Sequence, residues 1–165
     1  KRPAVIRPAT VADIPDLARL HVQAWGESYA GLLPAAEIAA RDIAARTAQW
    51  TSTIAAGTTR IMVLPGLGFA QTGAQRDPAL AERYPQELLA LYLLRSGQGR
   101  GHGRALLRAA TDPARAMTAL VLVGNDGALG FYTRTGAREI DRIDTHVGGA
   151  PITDVLIAWD DPAMI

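Results

Sequence analysis

The stretch GQGRGHGRALL, residues 97–107, places four glycines in its first seven residues, directly before residues typical of a helix start. Glycine lets the backbone come close to a ligand, and the free N–H groups at a helix N-terminus favour negative charge. Arg100 and Arg104 add positive charge to the same stretch. The combination predicts a phosphate-binding loop and raises the question of which phosphate-bearing molecule it binds.

Two common phosphate motifs are excluded. The P-loop requires a Gly-Lys pair, and the only lysine of the chain is Lys1. The dinucleotide motif G-x-G-x-x-G would need glycine where the sequence has His102 or Arg104. A third pattern, Q/R-x-x-G-x-G/A between a strand and a helix, is matched at every fixed position by residues 98–103.

The segments around the loop predict the elements that position it. Residues 87–94 are apolar almost throughout, as expected of a central strand buried on both faces. A helix is predicted over 102–110, a buried strand over 117–123 and a short helix over 125–136, followed by two strands of which the last covers 152–159. The loop then lies between a central strand and a helix, where ligands usually bind in such sheets.

The first half of the chain predicts the remaining elements. A short strand over 4–9 is followed by a helix over 10–25 with capping-box spacing and by an alanine-rich helix over 35–50. Two strands, 60–65 and 66–77, are joined by a Pro-Gly turn. The element order predicts an α/β fold with a mixed sheet.

Composition limits the class of protein. The 165 residues, 48% hydrophobic and 20% charged, suit one domain spanning 1–165. The net charge of +1 and the scattered arginines argue against a nucleic-acid partner. No apolar run approaches the roughly 18 residues of a membrane span, so no membrane partner and a cytoplasmic location are expected. With no cysteine there is no thiolate metal site or thiol nucleophile, and no metal is expected.

Two further segments complete a resemblance that covers nearly the whole chain. GNDGALGFYTRTGAREI (124–140) contains an asparagine, a Phe-Tyr pair and then a glycine before the next strand, and HVQAWGESYAGLLP (21–34) forms an opening helix and turn. Together with the loop at 98–103, in this order, they resemble the GCN5-related N-acetyltransferase (GNAT) family. The resemblance implies an acetyl-CoA-dependent N-acetyltransferase.

The implied fold is a mixed, mostly antiparallel sheet flanked by helices, with its central strands splayed at the cofactor site. One departure stands out, since residues 60–77 are fewer than is usual for the second and third strands. These strands are therefore expected to be compressed or partly missing.

The resemblance also implies which residues bind acetyl-CoA. The pyrophosphate would lie on the loop, the pantetheine arm on the main chain of the central strand, and a helix-start asparagine would contact the cofactor. These residues are Gln98, Gly99, Arg100, Gly101, His102, Gly103 and Arg104 in the loop, Leu91, Tyr92 and Leu93 in the strand, and Asn125. The alternative for the asparagine is a simple helix cap.

Amine acetylation needs a base for the amine and an acid for the leaving thiolate. Tyr132 matches the family's tyrosine near the cofactor sulfur and is the predicted acid; the alternative is packing beside Phe131. Glu87 matches the position of the base glutamate in the histone-acetylating branch. Its alternatives are an exposed strand-edge carboxylate, a chain of water molecules, or the weaker candidates His21 and His146. Without cysteine, direct transfer is expected.

The resemblance also implies the acceptor, a primary amine of a small molecule, because compact single-domain members of the family often act on such molecules. Trp25 and Tyr29 are the candidate substrate-binding residues, with Trp50, Glu27 and Asp42 nearby, and the alternative is that the aromatic residues are ordinary core. Two other functions remain open: acetylation of a peptide or protein amine, and a non-catalytic acyl-CoA-binding sensor or partner module. Exposed strands at the C-terminal edge favour a homodimer.

Overall fold

A computed structural model describes residues 4–165. The helices are α1 (Ile14–Tyr29), α2 (Ala35–Ala40), α3 (Ile43–Ala56), α4 (His102–Ala110) and α5 (Asp126–Arg134). The strands are β1 (Arg7–Pro8), β2 (Arg60–Leu64), β3 (Gly68–Ala74), β4 (Gln86–Leu93), β5 (Met117–Leu122), β6 (Arg138–Val147) and β7 (Ala150–Trp159).

The strands form one seven-stranded sheet in the order β1-β2-β3-β4-β5-β7-β6. Among the described residues β4 and β5 are the parallel pair, and every other neighbouring pair is antiparallel. This arrangement confirms the predicted α/β fold with a mixed, mostly antiparallel sheet. The parallel pair sits in the middle of the sheet and joins its two antiparallel halves.

Helices cover both faces of the sheet. On one face α1 and α3 bury Leu17, Leu20 and Trp50 against the β3 residue Phe69. On the other face α4 packs on β2, β3 and β4, where Leu106 and Ala110 are buried with Leu64 and Ala70. Beside it α5 places Tyr132 in one buried cluster with the β5 and β7 residues Met117, Val155 and Trp159. The two cores meet at β4, because its side chains alternate between them.

The predicted helix over 35–50 is two helices. Arg41 leaves the helical region, and the Asp42 side chain then accepts a hydrogen bond of 2.9 Å from the N–H of Ala45 to begin α3. The helix runs on to Ala56 and ends at Gly57, which has a φ of +63°. The alanine-rich pattern is the same on both sides of the break. The sequence signal for a second helix start was Asp42, since aspartate is a favoured N-cap residue.

The early edge of the sheet is complete. β2 and β3 are both present, and they pair from Arg60 opposite Thr72 to Leu64 opposite Gly68. Of the two expected alternatives, partly missing strands are excluded, and both strands are present as short segments of five and seven residues. At the edge itself β1 is shorter than predicted, with two residues in place of 4–9.

Across residues 4–165, no helix is both long enough and apolar enough to cross a membrane. The opposite edge of the sheet is β6, which pairs on one side with β7. The homodimer remains a prediction.

Candidate functional site

A cleft opens in the middle of the sheet because β4 and β5 separate. They pair at Gln86 with Met117 and at Glu87 with Thr118, and then diverge. The pairing of β4 with β3 skips Leu89, a β-bulge that bends the strand away from β5. The resulting cleft measures about 670 Å³. The predicted splaying of the central strands at this site is thus confirmed.

The edge of β4 that faces the cleft presents main-chain groups without a strand partner. The N–H of Leu94 donates to Leu67 on the β3 side, and main-chain groups alternate in direction along a strand. Leu91 and Leu93 therefore direct their N–H and C=O groups into the cleft, while those of Tyr92 face β3. Of the three strand residues predicted to bind the cofactor, Leu91 and Leu93 therefore present main-chain groups to the cleft, and Tyr92 lines it with its side chain.

The glycine loop ends β4 and begins α4 with a row of free amides. Gly99 and Gly101 have φ values of +79° and +81°, which glycine adopts without strain. Within residues 4–165, no protein acceptor pairs with the N–H groups of residues 99–104, and the first amide to bond is that of Ala105. We call these six N–H groups the amide cradle. Such a cradle at a helix N-terminus fits a phosphate.

Side chains of the loop are divided between the cleft and its rim. Gln98 and Arg104 line the cleft. The Gln98 Nε2 donates to the carbonyl of Leu93 at 3.1 Å, and an Arg104 Nη2 donates to the carbonyl of Arg134 at 3.0 Å. Arg100 and His102 are not among the lining residues. Their main chain belongs to the cradle, but their side chains lie outside the cleft.

Gly103 lies at a close contact between α4 and α5. A Cβ atom at this position would lie 3.3 Å from the ring of Phe131. That ring lines the cleft beside the loop. The contact brings the start of α4 against α5, so the amide cradle and the residues of α5 face the same space.

Tyr132 lies on α5 at the inner wall of the cleft. Its ring is 8% exposed and meets Trp159 edge to face at 5.4 Å. Burial raises the pKa of its hydroxyl well above the usual value, with a smaller contribution from Tyr29. The hydroxyl is therefore protonated at neutral pH. The ring packs on Trp159 and the residue also lines the cleft. Packing therefore does not exclude the predicted role of Tyr132 as the acid, which stays a prediction.

Asn125 precedes α5 and also lines the cleft. Its Oδ1 accepts a hydrogen bond of 3.4 Å from the N–H of Ala128, so it caps the helix. The capping alternative is present in this structure, and the side chain remains beside the space where a cofactor would lie.

Glu87 does not reach the cleft. Its carboxylate is 6% exposed and accepts hydrogen bonds from the Arg76 guanidinium at 2.7 and 3.0 Å, and from the Arg76 main-chain N–H at 3.2 Å. It sits where β4 and β5 are still paired, and it is not a lining residue. A carboxylate held by three donors on a neighbouring loop is placed for structural support, not for contact with an amine.

We expect Glu87→Gln to lower stability while leaving turnover almost unchanged. The amide cannot accept all three hydrogen bonds from Arg76, and each charged hydrogen bond contributes about 1–3 kcal/mol. Chemical denaturation measures the first effect and steady-state kinetics the second. A fall in kcat of tenfold or more in a folded variant would restore the role of base.

Opposite the cradle, the cleft continues beside α1, and we call this part the acceptor half. Tyr29 and Tyr92 meet there with their hydroxyls 3.2 Å apart, and both line the cleft. Glu27 also lines it and accepts a hydrogen bond from the N–H of Arg95 at 3.2 Å. Trp25 lies behind Tyr29, with ring centroids 4.5 Å apart, and does not line the cleft.

The remaining candidates are not among the residues that line the cleft. His21 is buried, and its Nδ1 accepts a hydrogen bond of 3.2 Å from the Nε1 of the buried Trp50. Burial lowers the pKa of His21 to about 3, with a smaller effect of Arg46. Asp42 caps α3, and His146 is exposed on β6.

His21 predicts a pH dependence of stability. Its pKa is about 3 when folded against about 6.5 when unfolded, so between these values the unfolded chain binds more protons. The free energy of unfolding should therefore fall as the pH drops below about 6.5, by about 1.4 kcal/mol per pH unit from this residue at most. Denaturation of the wild type, His21→Gln and the control His146→Gln from pH 7 to 4 measures it. Equal slopes in all three would contradict the prediction.

Sequence reasoning missed the bulge at Leu89, which opens the cleft. Nothing in the apolar run 87–94 distinguishes this residue from its neighbours. The side chain of Tyr92 was also assigned no role, although an aromatic residue in an otherwise aliphatic strand was a visible signal. Both residues line the cleft.

Comparison with known proteins agrees with this geometry. The model of the acetyltransferase (GNAT) family matches residues 67–137, from β3 through the glycine loop to the end of α5. The chain is 27% identical over 163 residues to an uncharacterized N-acetyltransferase, YuaI, of Bacillus subtilis. The alignment covers 94% of this chain and 92% of the relative.

Solved structures share the fold. The PaiA N-acetyltransferase of Thermoplasma acidophilum, in complex with coenzyme A, superposes with a TM-score of 0.71 at 17% identity over 95% of this chain and 98% of that one. YncA of Salmonella typhimurium, a putative acetyltransferase with its cofactor acetyl-CoA, superposes with a TM-score of 0.67 at 19% identity, over 95% of this chain and 93% of that one. The family match over residues 67–137, the relative and the shared fold agree with one another, and together they support the GNAT family of acetyltransferases for this chain.

Proposed function

We propose that this protein transfers the acetyl group of acetyl-CoA directly to a primary amine of a small molecule. The observation that carries the proposal is the meeting of three features in one cleft: the amide cradle, the open edge of β4 and the Tyr132 hydroxyl. Each suits a different part of the same donor, namely the pyrophosphate, the pantetheine arm and the thioester sulfur.

The residues present fit coenzyme A. The amide cradle of residues 99–104 offers six N–H groups to a pyrophosphate at a helix N-terminus, and Arg104 adds positive charge. Leu91 and Leu93 offer alternating main-chain groups, which pair with amide groups of an extended arm much as an added strand would. A side chain at Gly99 or Gly101 would project into this space.

When bound, acetyl-CoA supplies an activated acetyl thioester. The chain's own residues then have two tasks at the reacting end, and water in the cleft takes the proton that the amine loses, since Arg76 holds the carboxylate of Glu87. The N–H of Leu91 or Leu93 can donate a hydrogen bond to a carbonyl oxygen on the open strand edge. Tyr132 holds a proton at its hydroxyl for a departing thiolate, since burial keeps this group protonated. With no cysteine in the chain, no thiol can carry the acetyl group between donor and acceptor.

The acceptor half favours a small molecule. Glu37 on α2 accepts a hydrogen bond of 3.3 Å from the N–H of Gly149, in the turn between β6 and β7. This contact joins the β6–β7 hairpin to α2, which follows Tyr29 after a five-residue turn. An extended peptide would need an open groove at this place.

Release of thiol from acetyl-CoA tests the proposal and the acceptor class together. Because the chain has no cysteine, a thiol reagent detects only free coenzyme A. The panel contains small primary amines, aminoglycosides, and peptides with a free N-terminus or a lysine. We expect release with a small amine. Release with peptides alone would assign the protein to the acetylation of peptide or protein amines.

No release with any amine, combined with tight binding of acetyl-CoA in a calorimetric titration, would contradict transfer. That pair of results is what a non-catalytic acyl-CoA sensor would give. Absence of binding would contradict the assignment of the cleft to the donor.

A further inference from the structure

Asp154 is a carboxylate on the acceptor face of β7, where it has no partner among residues 4–165. Side chains alternate along the strand, and Val155 and Ile157 belong to the buried cluster with Tyr132 on the opposite face. Asp154 therefore points to the side of the sheet covered by α1. Its cross-strand neighbour is Leu122, the last residue of β5.

Asp154 is not itself among the residues that line the cleft, but it lies beside one of them. Leu120 lines the cleft and stands diagonally across from Asp154 on the same face, at a typical separation of about 7–8 Å for such pairs. The electrostatic influence of Asp154 reaches Tyr29, since it contributes to raising the pKa of that lining residue. The carboxylate thus stands beside the acceptor half.

Nothing in residues 4–165 neutralises this carboxylate. No hydrogen bond or ion pair is formed by its oxygens, and half-burial alone raises its pKa. Other carboxylates of this face have partners within the chain: Glu37 is paired with Arg41 and bonded to Gly149, and Glu27 is bonded to Arg95. Partial burial of a carboxylate without a partner costs free energy, and a hydrogen bond from a positively charged group of a ligand would offset that cost.

The surroundings of Asp154 are apolar. Leu120 is 44% exposed and Leu32, in the turn after α1, is 38% exposed. Leu32 reaches the end of β5, because its Cδ2 would lie 3.0 Å from a Cβ atom at Gly124. These exposed leucines provide an apolar wall next to Asp154, and the exposed Asp141, opposite Leu156 on β6, adds a second negative charge to the same face, which suits an organic cation.

The nearby arginines are engaged elsewhere. Arg46 lies 4.7 Å over the ring of Trp25, and its Nη1 donates to Gln49 at 2.8 Å. Arg41 donates to the carbonyl of Glu37. Arg46 also has two buried nitrogens, Nε and Nη2, without a hydrogen-bond partner within the described residues, so an anionic acceptor is the alternative that any test must distinguish.

We propose that Asp154 is a specificity-determining residue that binds a positively charged group of the acceptor. The acceptor class is then a small organic cation with an apolar body, such as an aralkylamine or a compound with more than one ammonium group. The inference rests on the proposed function for the identity of the acceptor half, but it concerns binding and can be tested without turnover.

Calorimetric binding of two matched probes tests this. Phenethylamine, which is cationic at neutral pH, and 2-phenylethanol, its neutral analogue, are titrated into the protein saturated with coenzyme A. In the wild type we expect at least about tenfold tighter binding of the cation, the size of one charge-assisted hydrogen bond. Asp154→Asn should reduce the preference to less than twofold, and Asp154→Glu should retain most of it.

Asp144→Asn is the matched control. It makes the same charge change at an exposed position of the neighbouring strand β6, but Asp144 pairs with Thr153 and its side chain lies on the opposite face of the sheet, so this variant should keep the tenfold preference. Coenzyme A affinity and thermal unfolding verify that each variant is folded. Should Asp154→Asn not fold, the comparison between wild type and Asp154→Glu still decides, because a glutamate with no preference for the cation would overturn the proposal.

Three results would overturn the inference: equal binding of both probes by the wild type, an undiminished preference in Asp154→Asn, or tighter binding of 3-phenylpropionate than of either probe. The last would assign acceptor recognition to Arg46. Failure of the proposed function is distinguishable, because a preference that depends on Asp154 without any thiol release would support the cation site and contradict acetyl transfer.

Discussion

Tyr132→Phe is expected to lower kcat by about 100-fold, the usual contribution of a general acid, with little change in the KM for acetyl-CoA. The hydroxyl is the one group that the substitution removes, and the ring that packs on Trp159 remains. Loss of the proton donor slows departure of the thiolate without altering the amide cradle. Steady-state thiol release at saturating acetyl-CoA measures kcat directly.

Tyr84→Phe is the matched control for this substitution. The Tyr84 hydroxyl donates to Asp160 at 3.1 Å, and the residue does not line the cleft. It should retain full turnover. If Tyr132→Phe keeps more than half of the wild-type kcat at every pH, Tyr132 is a packing residue and the proton of the thiolate comes from elsewhere.

Gly101→Ala is expected to raise the KM for acetyl-CoA about tenfold or more, with a smaller effect on kcat. Gly101 has a φ of +81° and caps α4, so any other residue there costs about 1–2 kcal/mol of backbone strain. Its Cβ would also enter open space at the amide cradle, since no atom lies within 4 Å of that position. Initial rates at varied acetyl-CoA, and titration of coenzyme A, measure the effect.

Gly66→Ala separates strain from ligand contact. Gly66 has a φ of +77° and the same empty surroundings, but it lies in the turn between β2 and β3 and does not line the cleft. Its substitution should lower stability by a similar amount and leave coenzyme A affinity unchanged. Equal loss of affinity in both variants would show that strain alone is responsible and that the cradle does not bind the donor.

The amide cradle could be predicted from the sequence because all of its groups come from one short segment. A glycine loop between a strand and a helix fixes both the free amides and the direction of the helix, and α4 begins and ends at the predicted residues, His102 and Ala110. Tyr132 could be placed for a similar reason, since α5 is short and follows a strand of the cleft directly. In these segments, neighbours in sequence are neighbours in the site.

The acceptor end depends on contacts between distant segments, and the sequence predicted it poorly. Glu87 lies on the expected strand, but its partner Arg76 is eleven residues away across a loop, and that pairing decides what the carboxylate does. Asp154 lies in a strand of strongly periodic hydrophobicity, and a single acidic residue in this pattern was the one sequence feature that indicated a binding role. The bulge at Leu89, which separates the strands, has no signature in its own residues.

The most direct measurement follows free thiol and acetylated amine in the same samples. Acetyl-CoA and the amine that gives the fastest thiol release are mixed with the protein, and both products are quantified over time. Direct transfer predicts equal amounts of coenzyme A and N-acetylated amine, rising together and only when the amine is present. Thiol that accumulates without acetylated amine, or bound acetyl-CoA that no amine consumes, would contradict an N-acetyltransferase acting through this cleft.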